Sequence, residues 1–257
     1  MTNKAIEVDG LSFKYDNKLI LDDISFSISS GDVVVLMGLN GSGKSTLINC
    51  IMGFLKPKSG NIFIQGNDIT KINNHELAYL ISYVPQNIGN SCMLGVLEYL
   101  TLGRIVYRKM YENVKQADYD CVFRYADEMN IKPLLGKKMN ELSGGERQLV
   151  AITKALIQET PIIVFDEPMA ALDYKNQIMY LKVIEELRAA GKTVLFSSHN
   201  PNHALALNAK IALIHKKSLY ACGKSTAVLS DEILQSIYGA NIQIIEKSQR
   251  KYCVFDL

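Results

Sequence analysis

The chain has 257 residues, 48% of them apolar, which is enough to bury the core of one large α/β domain or two small ones without disulfides or metals. Its 28 basic and 26 acidic residues leave a net charge of +2, and no basic block is long enough for a nucleic-acid tail or a polybasic membrane anchor. No apolar run approaches the roughly 18 residues that cross a bilayer, and the polar N-terminal sequence lacks a signal-peptide layout, so we expect a cytosolic location.

The first predicted elements are strands with one buried face. Apolar residues alternate with polar ones from Ile6 to Phe13 and stand at every second position from Ile24 to Ile28. An uninterrupted apolar run, 33–37, then has the composition of a strand that is covered on both faces. The sequence therefore predicts an antiparallel β layer followed by a buried strand.

The segment after this strand matches a phosphate-binding loop. G-x-x-x-x-G-K-[ST] is met in full, directly after the buried run and before an apolar helix. The glycines let successive N–H groups face one point, Lys44 can reach the β- and γ-phosphates, and Ser45 offers a hydroxyl to Mg²⁺. The nucleotide-binding residues predicted here are Gly38, Leu39, Asn40, Gly41, Ser42, Gly43, Lys44, Ser45 and Thr46. A second Gly-Lys-Ser-Thr, at 223–226, lacks the leading glycine, and we expect it to form a solvent-facing turn.

The middle of the chain has a helical pattern. Between about residues 86 and 160 the strand-like runs disappear and apolar residues fall three and four apart. Short apolar runs on either side of it, typical of parallel α/β units, lie at 81–84, 162–165, 194–196 and 211–214. We predict a single domain, 1–257, with a catalytic α/β core and its antiparallel layer in 1–85 and 161–257, and a helical subdomain in 86–160.

The turn Leu-Ser-Gly-Gly-Glu at 142–146 has a structural interpretation and a functional one. Ser143 and Glu146 have the spacing of a capping box at the start of a helix. Gly144 and Gly145, however, cost roughly 0.5 to 1 kcal/mol each relative to alanine where the turn is helical, so we expect another molecule to approach this backbone. A helix N-terminus with a Ser hydroxyl and bare amides is a second phosphate site.

Two carboxylates follow the apolar run 162–165. A buried strand would deliver Asp166 and Glu167 to its carboxyl end, where open α/β sheets bind ligands. We expect Asp166 to hold Mg²⁺ through its water shell and Glu167 to accept a proton from the water that attacks the γ-phosphate. The alternative is that the two carboxylates form a solvated acidic turn. The phosphate loop in the same chain favours the catalytic interpretation over this alternative.

Together these motifs resemble those of ATP-binding cassette (ABC) ATPase subunits of membrane transporters, and the resemblance covers essentially the whole chain. It implies an α/β fold of the P-loop NTPase (RecA-like) type, with a parallel-sheet core, an N-terminal antiparallel β layer and an inserted helical subdomain. It also implies roles for further residues. Tyr15 matches the aromatic that stacks on adenine, and Gln86 matches the glutamine that touches Mg²⁺ and senses the membrane partner. Asp173, in the Ala171-Leu172-Asp173 loop, lies between nucleotide sites, and His199 faces the γ-phosphate.

The resemblance further implies partners. ATP on the phosphate loop of one copy is expected to be covered by 143–145 of another, in a homodimer or a dimer with a paralogue. A transmembrane permease would dock along 86–104, an extracytoplasmic substrate-binding protein would act through it, and no nucleic acid is expected. The chain would then lie peripherally on the cytoplasmic face of the cell membrane. Segments 96–104, 198–204 and 229–239 resemble ATPases that import ferric siderophores, haem, cobalamin or molybdate.

Alternatives of other classes remain open at this point. An exporter ATPase would use the same catalytic residues, which the resemblance implies are Lys44, Gln86, Glu167 and His199, whereas a soluble ABC ATPase of translation or DNA repair usually has tandem cassettes or a coiled-coil insertion. A GTPase would need an Asn-Lys-x-Asp motif to recognise guanine, which the sequence lacks, and five cysteines without a C-x-x-C pair argue against a zinc knuckle.

The chain departs from the family pattern at Met169, where Thr is usual, and at Ala170, where Ser is more frequent.

Overall fold

The computed structural model describes residues 3–86, 88, 92–109, 112–170 and 172–255. Its strands, in chain order, are β1 (Lys4–Tyr15), β2 (Lys18–Ser29), β3 (Val33–Met37), β4 (Ser59–Ile64), β5 (Asn67–Asp68), β6 (Ile81–Val84), β7 (Ile162–Phe165), β8 (Thr193–Ser198), β9 (Lys210–His215), β10 (Ser218–Lys224), β11 (Ile242–Lys247) and β12 (Arg250–Phe255).

The helices, in chain order, are α1 (Lys44–Ile51), α2 (Asn74–Leu80), α3 (Val96–Thr101), α4 (Gln116–Glu128), α5 (Gly144–Ile157), α6 (Tyr174–Ala189), α7 (Pro201–Ala206), α8 (Ser225–Val228) and α9 (Asp231–Tyr238). Short 3₁₀ helices cover Leu102–Tyr107, Lys132–Leu134 and Met139–Glu141. None of the helices in the described residues is long and apolar enough to cross a membrane.

The predicted antiparallel layer is a four-stranded sheet in the order β2-β1-β4-β5. Ile6 and Val8 face the core, and a register shift between Val8 and Leu11 brings Leu11 and Phe13 to the same buried face. Because side chains alternate along a strand, one extra residue is needed for even- and odd-numbered positions to share a face. The bulge thus explains the imperfect alternation of this stretch.

The second sheet is mostly parallel, in the order β10-β9-β3-β8-β7-β6, with β10 antiparallel to β9. Every residue of β3 is buried, as its uninterrupted apolar run predicts. Val33 and Val35 pack into one hydrophobic core, whereas Val34 and Leu36 pack into the other, which also contains the antiparallel layer. The β layer, together with α1 and α2, therefore covers one face of this sheet, and α3 to α7 and α9 cover the other.

Helices occupy the middle of the chain, and no strand lies between β6 and β7 in the described ranges. Val122 and Ala126 of α4 are buried in the same core as Val33 of β3. Phe123, on the other side of α4, is exposed and stacks on Tyr119. The helical region thus shares a continuous core with the sheet, and the subdomain limits 86–160 stay a prediction.

The expectation for 223–226 is wrong in one respect. Gly223 and Lys224 end β10, and Ser225 is fully buried at the start of α8, where its hydroxyl donates to the carbonyl of Ala204 at 3.2 Å. Ser225, which we expected to face solvent, therefore anchors this segment in the interior of the fold. Farther on, β11 and β12 form an antiparallel pair.

Candidate active site

Four neighbouring parallel strands, β3, β8, β7 and β6, bring their carboxyl ends to one edge of the sheet. Met37 of β3 pairs with Ser198 of β8, and Phe165 of β7 pairs with both Phe196 of β8 and Val84 of β6. The residues that follow these strands in the chain therefore emerge side by side. They include the phosphate loop, the Asp166-Glu167 pair, Gln86 and His199.

The phosphate loop, 38–43, connects β3 to α1 and needs glycine at both ends. Gly43, the N-cap of α1, has a φ of 102°, and a Cβ there would lie 2.7 Å from Leu21 Cδ2. A Cβ on Gly38 would lie 2.5 Å from the carbonyl oxygen of Ile214. Both glycines are thus required by backbone conformation and packing within this chain.

Lys44 folds back over the loop and is 4% exposed. Its Nζ donates to the carbonyl oxygens of Gly38 and Leu39, each at 3.1 Å, and lies 3.1 Å from Glu167 Oε1. The hydroxyl of Ser42 is buried beside it and has no hydrogen-bond partner among the described residues. A buried ammonium and an unpaired hydroxyl on a glycine loop fit an anionic phosphate ligand.

The Asp166 carboxylate and the Glu167 backbone are held by a serine that the sequence analysis missed. Ser197 Oγ on β8 donates to Asp166 Oδ1 at 2.7 Å and accepts the Glu167 N–H at 2.7 Å. Glu167 needs this support because its φ of 42° lies in the left-handed region, which is strained for a residue with a side chain. The available signal was the position of Ser197 at the carboxyl end of a predicted strand, which becomes informative only once that strand is paired with β7.

Glu167 is the centre of the predicted catalytic set. Its Oε1 contacts Lys44, and its Oε2 accepts a hydrogen bond from Gln86 Nε2 at 3.3 Å. The same oxygen lies 3.7 Å from His199 Nδ1. The four residues expected to be catalytic are separated along the chain and meet at one carboxylate, whose side chain is 11% exposed.

An open cleft of about 320 Å³ runs along the phosphate loop. Tyr15 contributes to its wall, is 48% exposed, and packs edge-on against Phe13 with ring centroids 4.8 Å apart. The residues that line the cleft are Tyr15, Ile20, Asn40, Gly41, Gly43, Lys44, Ser45, Thr46, Gln86 and Glu167. An aromatic face, a phosphate loop and a carboxylate therefore share one cavity.

The described residues hold no group of three or more His, Cys, Asp or Glu side chains with metal-ligand geometry. A cation at the phosphate loop would have to take other ligands, and Mg²⁺ is commonly bound through one or two carboxylates, waters and phosphate oxygens. Ser45, Gln86 and Asp166 offer a hydroxyl, an amide and a carboxylate oxygen of this kind. The donor set thus fits Mg²⁺ bound together with a nucleotide.

The Leu-Ser-Gly-Gly-Glu turn forms the predicted capping box at the start of α5. The Ser143 N–H donates to Glu146 Oε2 at 2.8 Å, and the Glu146 N–H donates to Ser143 Oγ at 3.3 Å. Ser143 and Gly144 are exposed, and a Cβ added to Gly144 would meet no atom within 4 Å. Nothing in the described part of this chain therefore requires glycine at 144.

Asp173 lies next to this turn, and within this chain it caps a helix. Its Oδ1 accepts the N–H of Asn176 at 2.8 Å, which caps α6. A Cβ on Gly145 would lie 3.5 Å from Asn176 Nδ2 and 3.8 Å from Leu172 Cδ2, so the two turns are neighbours. Neither turn contributes a described residue to the cleft at the phosphate loop. Ala171 lies outside the described residues.

The loop that carries His199 is supported by a buried histidine. His203 Nδ1 is 2.8 Å from Ser198 Oγ, and burial lowers the pKa of His203 to about 4, with the neighbouring His199 contributing to the shift. His203 is therefore neutral at physiological pH. His199 itself is half exposed and reaches toward Glu167.

A family model described as ABC transporter matches residues 21–170, which is more than half of the chain. The chain belongs to the ABC transporter family. The prediction of an ATP-binding cassette ATPase subunit with a P-loop NTPase fold is thereby confirmed.

Individual members of the family match over nearly the whole length. A "probable iron chelatin transport ATP-binding protein" of Helicobacter pylori is 31% identical over 94% of this chain and 95% of its own length. An uncharacterized ABC transporter ATP-binding protein of Methanocaldococcus jannaschii is 36% identical over 95% of each chain. A solved ABC transporter assigned to the metal-chelate type, in an inward-facing conformation, has a TM-score of 0.85 and 28% identity over 99% of this chain and 97% of its own.

Proposed function

We propose that the chain hydrolyses ATP to power a membrane importer of an iron-siderophore, haem, cobalamin or molybdate type of substrate. One observation carries the enzymatic part, namely the convergence of Lys44, Gln86 and His199 on the Glu167 carboxylate beside a phosphate loop. The substrate class is supported by the iron-chelatin and metal-chelate names of the relatives.

Each group at the site has a proposed role in ATP hydrolysis. The loop 38–46 and Lys44 bind the phosphates, and Tyr15 stacks on the adenine. Glu167 accepts the proton of the attacking water, while His199 orients toward the γ-phosphate. Mg²⁺ held by Ser45, Gln86 and Asp166 would neutralise phosphate charge when bound.

The proposed working unit contains two copies, because one copy provides two separate halves of a nucleotide site. The cleft at the phosphate loop has no wall from 143–145, and Ser143 and Gly144 are exposed with free space around Gly144. In a two-fold dimer each exposed turn, with Asp173 beside it, would cover the ATP of the other copy. The partner would be an identical chain or a close paralogue.

The permease is proposed to dock near Gln86, chiefly on residues that flank the predicted apolar helix. Val96 and Leu100 of α3 are fully buried, so the expectation that they form the docking surface is wrong, and Arg104 is tied to Glu159 and Asp118. For Leu97, Glu98 and Tyr99 the expectation stays a prediction. Apolar side chains that flank α3 are exposed instead, namely Met93, Leu94, Leu102 and Ile105. This location would place the chain peripherally at the cytoplasmic face of the membrane, with a substrate-binding protein acting from the other side.

Uptake measurements test the proposal. In cells that lack this chain, we expect loss of uptake of labelled ferric siderophore, haem, cobalamin or molybdate. Uptake should return with the wild-type chain and with Glu185→Gln, an exposed carboxylate on α6, but not with Glu167→Gln. Loss of efflux would instead indicate an exporter, and co-purification with ribosomes or DNA would indicate a soluble ABC ATPase.

A further inference from the structure

The C-terminal segment 225–255 packs against the loop that carries His199. Tyr238, the last residue of α9, donates a hydrogen bond from its phenol to the carbonyl oxygen of His199 at 2.8 Å. Burial raises the pKa of Tyr238 to about 12, so the phenol keeps its proton and remains a donor throughout the neutral range. A remote helix therefore holds the backbone of a residue at the proposed catalytic centre.

A second contact joins the same segment to the start of α7. Asn202 Nδ2 donates to the carbonyl of Cys253 at 2.9 Å, and Asn202 Oδ1 accepts the Cys253 N–H at 2.7 Å. The side-chain amide thus pairs with β12 as the backbone of a neighbouring strand would. Asn202 is three residues beyond His199, so the hairpin and α9 hold the loop at two adjacent points.

The other contacts of this loop fix its ends. Ser198 Oγ accepts the N–H of Asn200 at 3.0 Å and pairs with His203, while Asn200 Oδ1 accepts the N–H of Asn202 at 3.0 Å. Between these caps, the peptide after His199 is the one that Tyr238 holds. Because the His199 side chain is half exposed, the direction of its imidazole depends strongly on that peptide.

We propose that Tyr238 is a positioning residue for ATP hydrolysis, which holds the His199 peptide so that the imidazole faces Glu167 and the phosphate site. The C-terminal segment is then part of the catalytic apparatus. The inference rests on the proposed role of His199 and extends it to a residue that does not touch nucleotide.

The substitution Tyr238→Phe removes one hydroxyl and keeps the ring. Because it deletes a single hydrogen bond, we expect roughly a three- to tenfold loss of kcat with KM for ATP and the melting temperature nearly unchanged. Tyr252→Phe is the matched control, since this tyrosine of β12 is exposed and lines the same groove. Asn202→Asp, which keeps the acceptor for Cys253 and loses the donor, should also lower kcat.

A double-mutant cycle with His199→Ala decides whether the effect passes through His199. We expect His199→Ala to lower kcat and Tyr238→Phe to cause no further loss in that background. An equal loss from Tyr238→Phe in both backgrounds, or no loss in the wild-type background, would overturn the inference while leaving the role of His199 intact. Normal hydrolysis by His199→Ala would remove the proposed role of His199 and the inference together.

Discussion

At the residue scale, the two oxygens of Glu167 face different neighbours. Oε1 contacts the Lys44 ammonium, whereas Oε2 faces the Gln86 amide and the His199 imidazole. Phosphate oxygens entering the loop would compete with Oε1 for Lys44, because both are anionic acceptors for the same buried ammonium. We therefore expect nucleotide binding to release Glu167 from Lys44 and leave it able to accept a proton from water.

The first prediction concerns this carboxylate. Glu167→Gln keeps the size of the side chain and removes the base, so ATP hydrolysis should fall by roughly 10²- to 10⁴-fold while ATP binding persists. Turnover and equilibrium binding of ATP measure the two effects separately. Near-normal hydrolysis would show that the base is assigned wrongly.

Two substitutions serve as controls for that result. Glu185→Gln alters an exposed carboxylate on α6 and should leave turnover unchanged. Lys44→Ala should instead weaken ATP binding itself, by roughly tenfold or more, because a hydrogen bond to a charged partner is lost. The contrast separates chemistry from binding within the same cleft.

A second residue-scale prediction concerns His203, which is buried with its pKa lowered from 6.5 to about 4. Between these two values the unfolded chain binds more protons than the folded chain, so the free energy of unfolding falls as the pH decreases through this window. At pH 5 the loss relative to pH 7.5 should be on the order of 2 kcal/mol. His203→Gln should lose less stability over the same interval, as measured by urea denaturation, and an equal loss in both proteins would contradict the prediction.

At the element scale, the sequence predicts individual elements well where one pattern has one structural meaning. The run before the phosphate loop is the fully buried β3, and Ser143 and Glu146 form their capping box. Prediction from the sequence fails where one hydrophobic pattern is compatible with two structural roles. An apolar helix can pack into the core or form a docking surface, and Val96 and Leu100 of α3 are fully buried in the core.

Residues that act on other elements could not be predicted from the sequence at all. Ser197 acts through the pairing of β7 with β8, and Tyr238 through the packing of α9 on a loop far away in the chain. Ser197 belongs to none of the motifs, and the resemblance of the segment 229–239 to importer ATPases assigns Tyr238 no role. Met169, one of the two departures from the family pattern, is buried beside Leu172, so an apolar residue fills space there in place of the usual Thr.

The element-scale prediction is that Gly144→Ala has effects of opposite sign on stability and activity. Alanine in the first turn of α5 should raise the free energy of unfolding by a few tenths to about 1 kcal/mol, since a methyl group there meets no atom of the described residues within 4 Å. In the proposed dimer the same methyl group would lie at the interface between the two copies, where it would lower ATPase activity.

Gly136→Ala is the matched control, because a Cβ at Gly136 also has no neighbour within 4 Å in the part of the chain that the structure describes. It should change ATPase activity little. Melting temperature and turnover of the two variants give the comparison. Full activity of Gly144→Ala would contradict a role for this turn between copies.

At the scale of the whole molecule, the chain separates the two features that we propose bind phosphate. One edge of the parallel sheet gathers the phosphate loop, Glu167, Gln86 and His199, while the capped turn of α5 lies beside Asp173, outside the cleft. Two copies related by a two-fold axis can bring each turn onto the cleft of the other copy. ATP binding would then be coupled to association, and hydrolysis to separation, which is the two-state motion that a transporter can use.

Light scattering of the Glu167→Gln chain with ATP and Mg²⁺ tests this composite site most directly. We expect twice the 28.7 kDa mass of one chain with ATP, and a single chain without it. Adding Ser143→Arg to the same chain should leave ATP binding intact and abolish the mass change. A Glu167→Gln chain that binds ATP fully yet keeps the mass of one copy would contradict a nucleotide site shared between two copies.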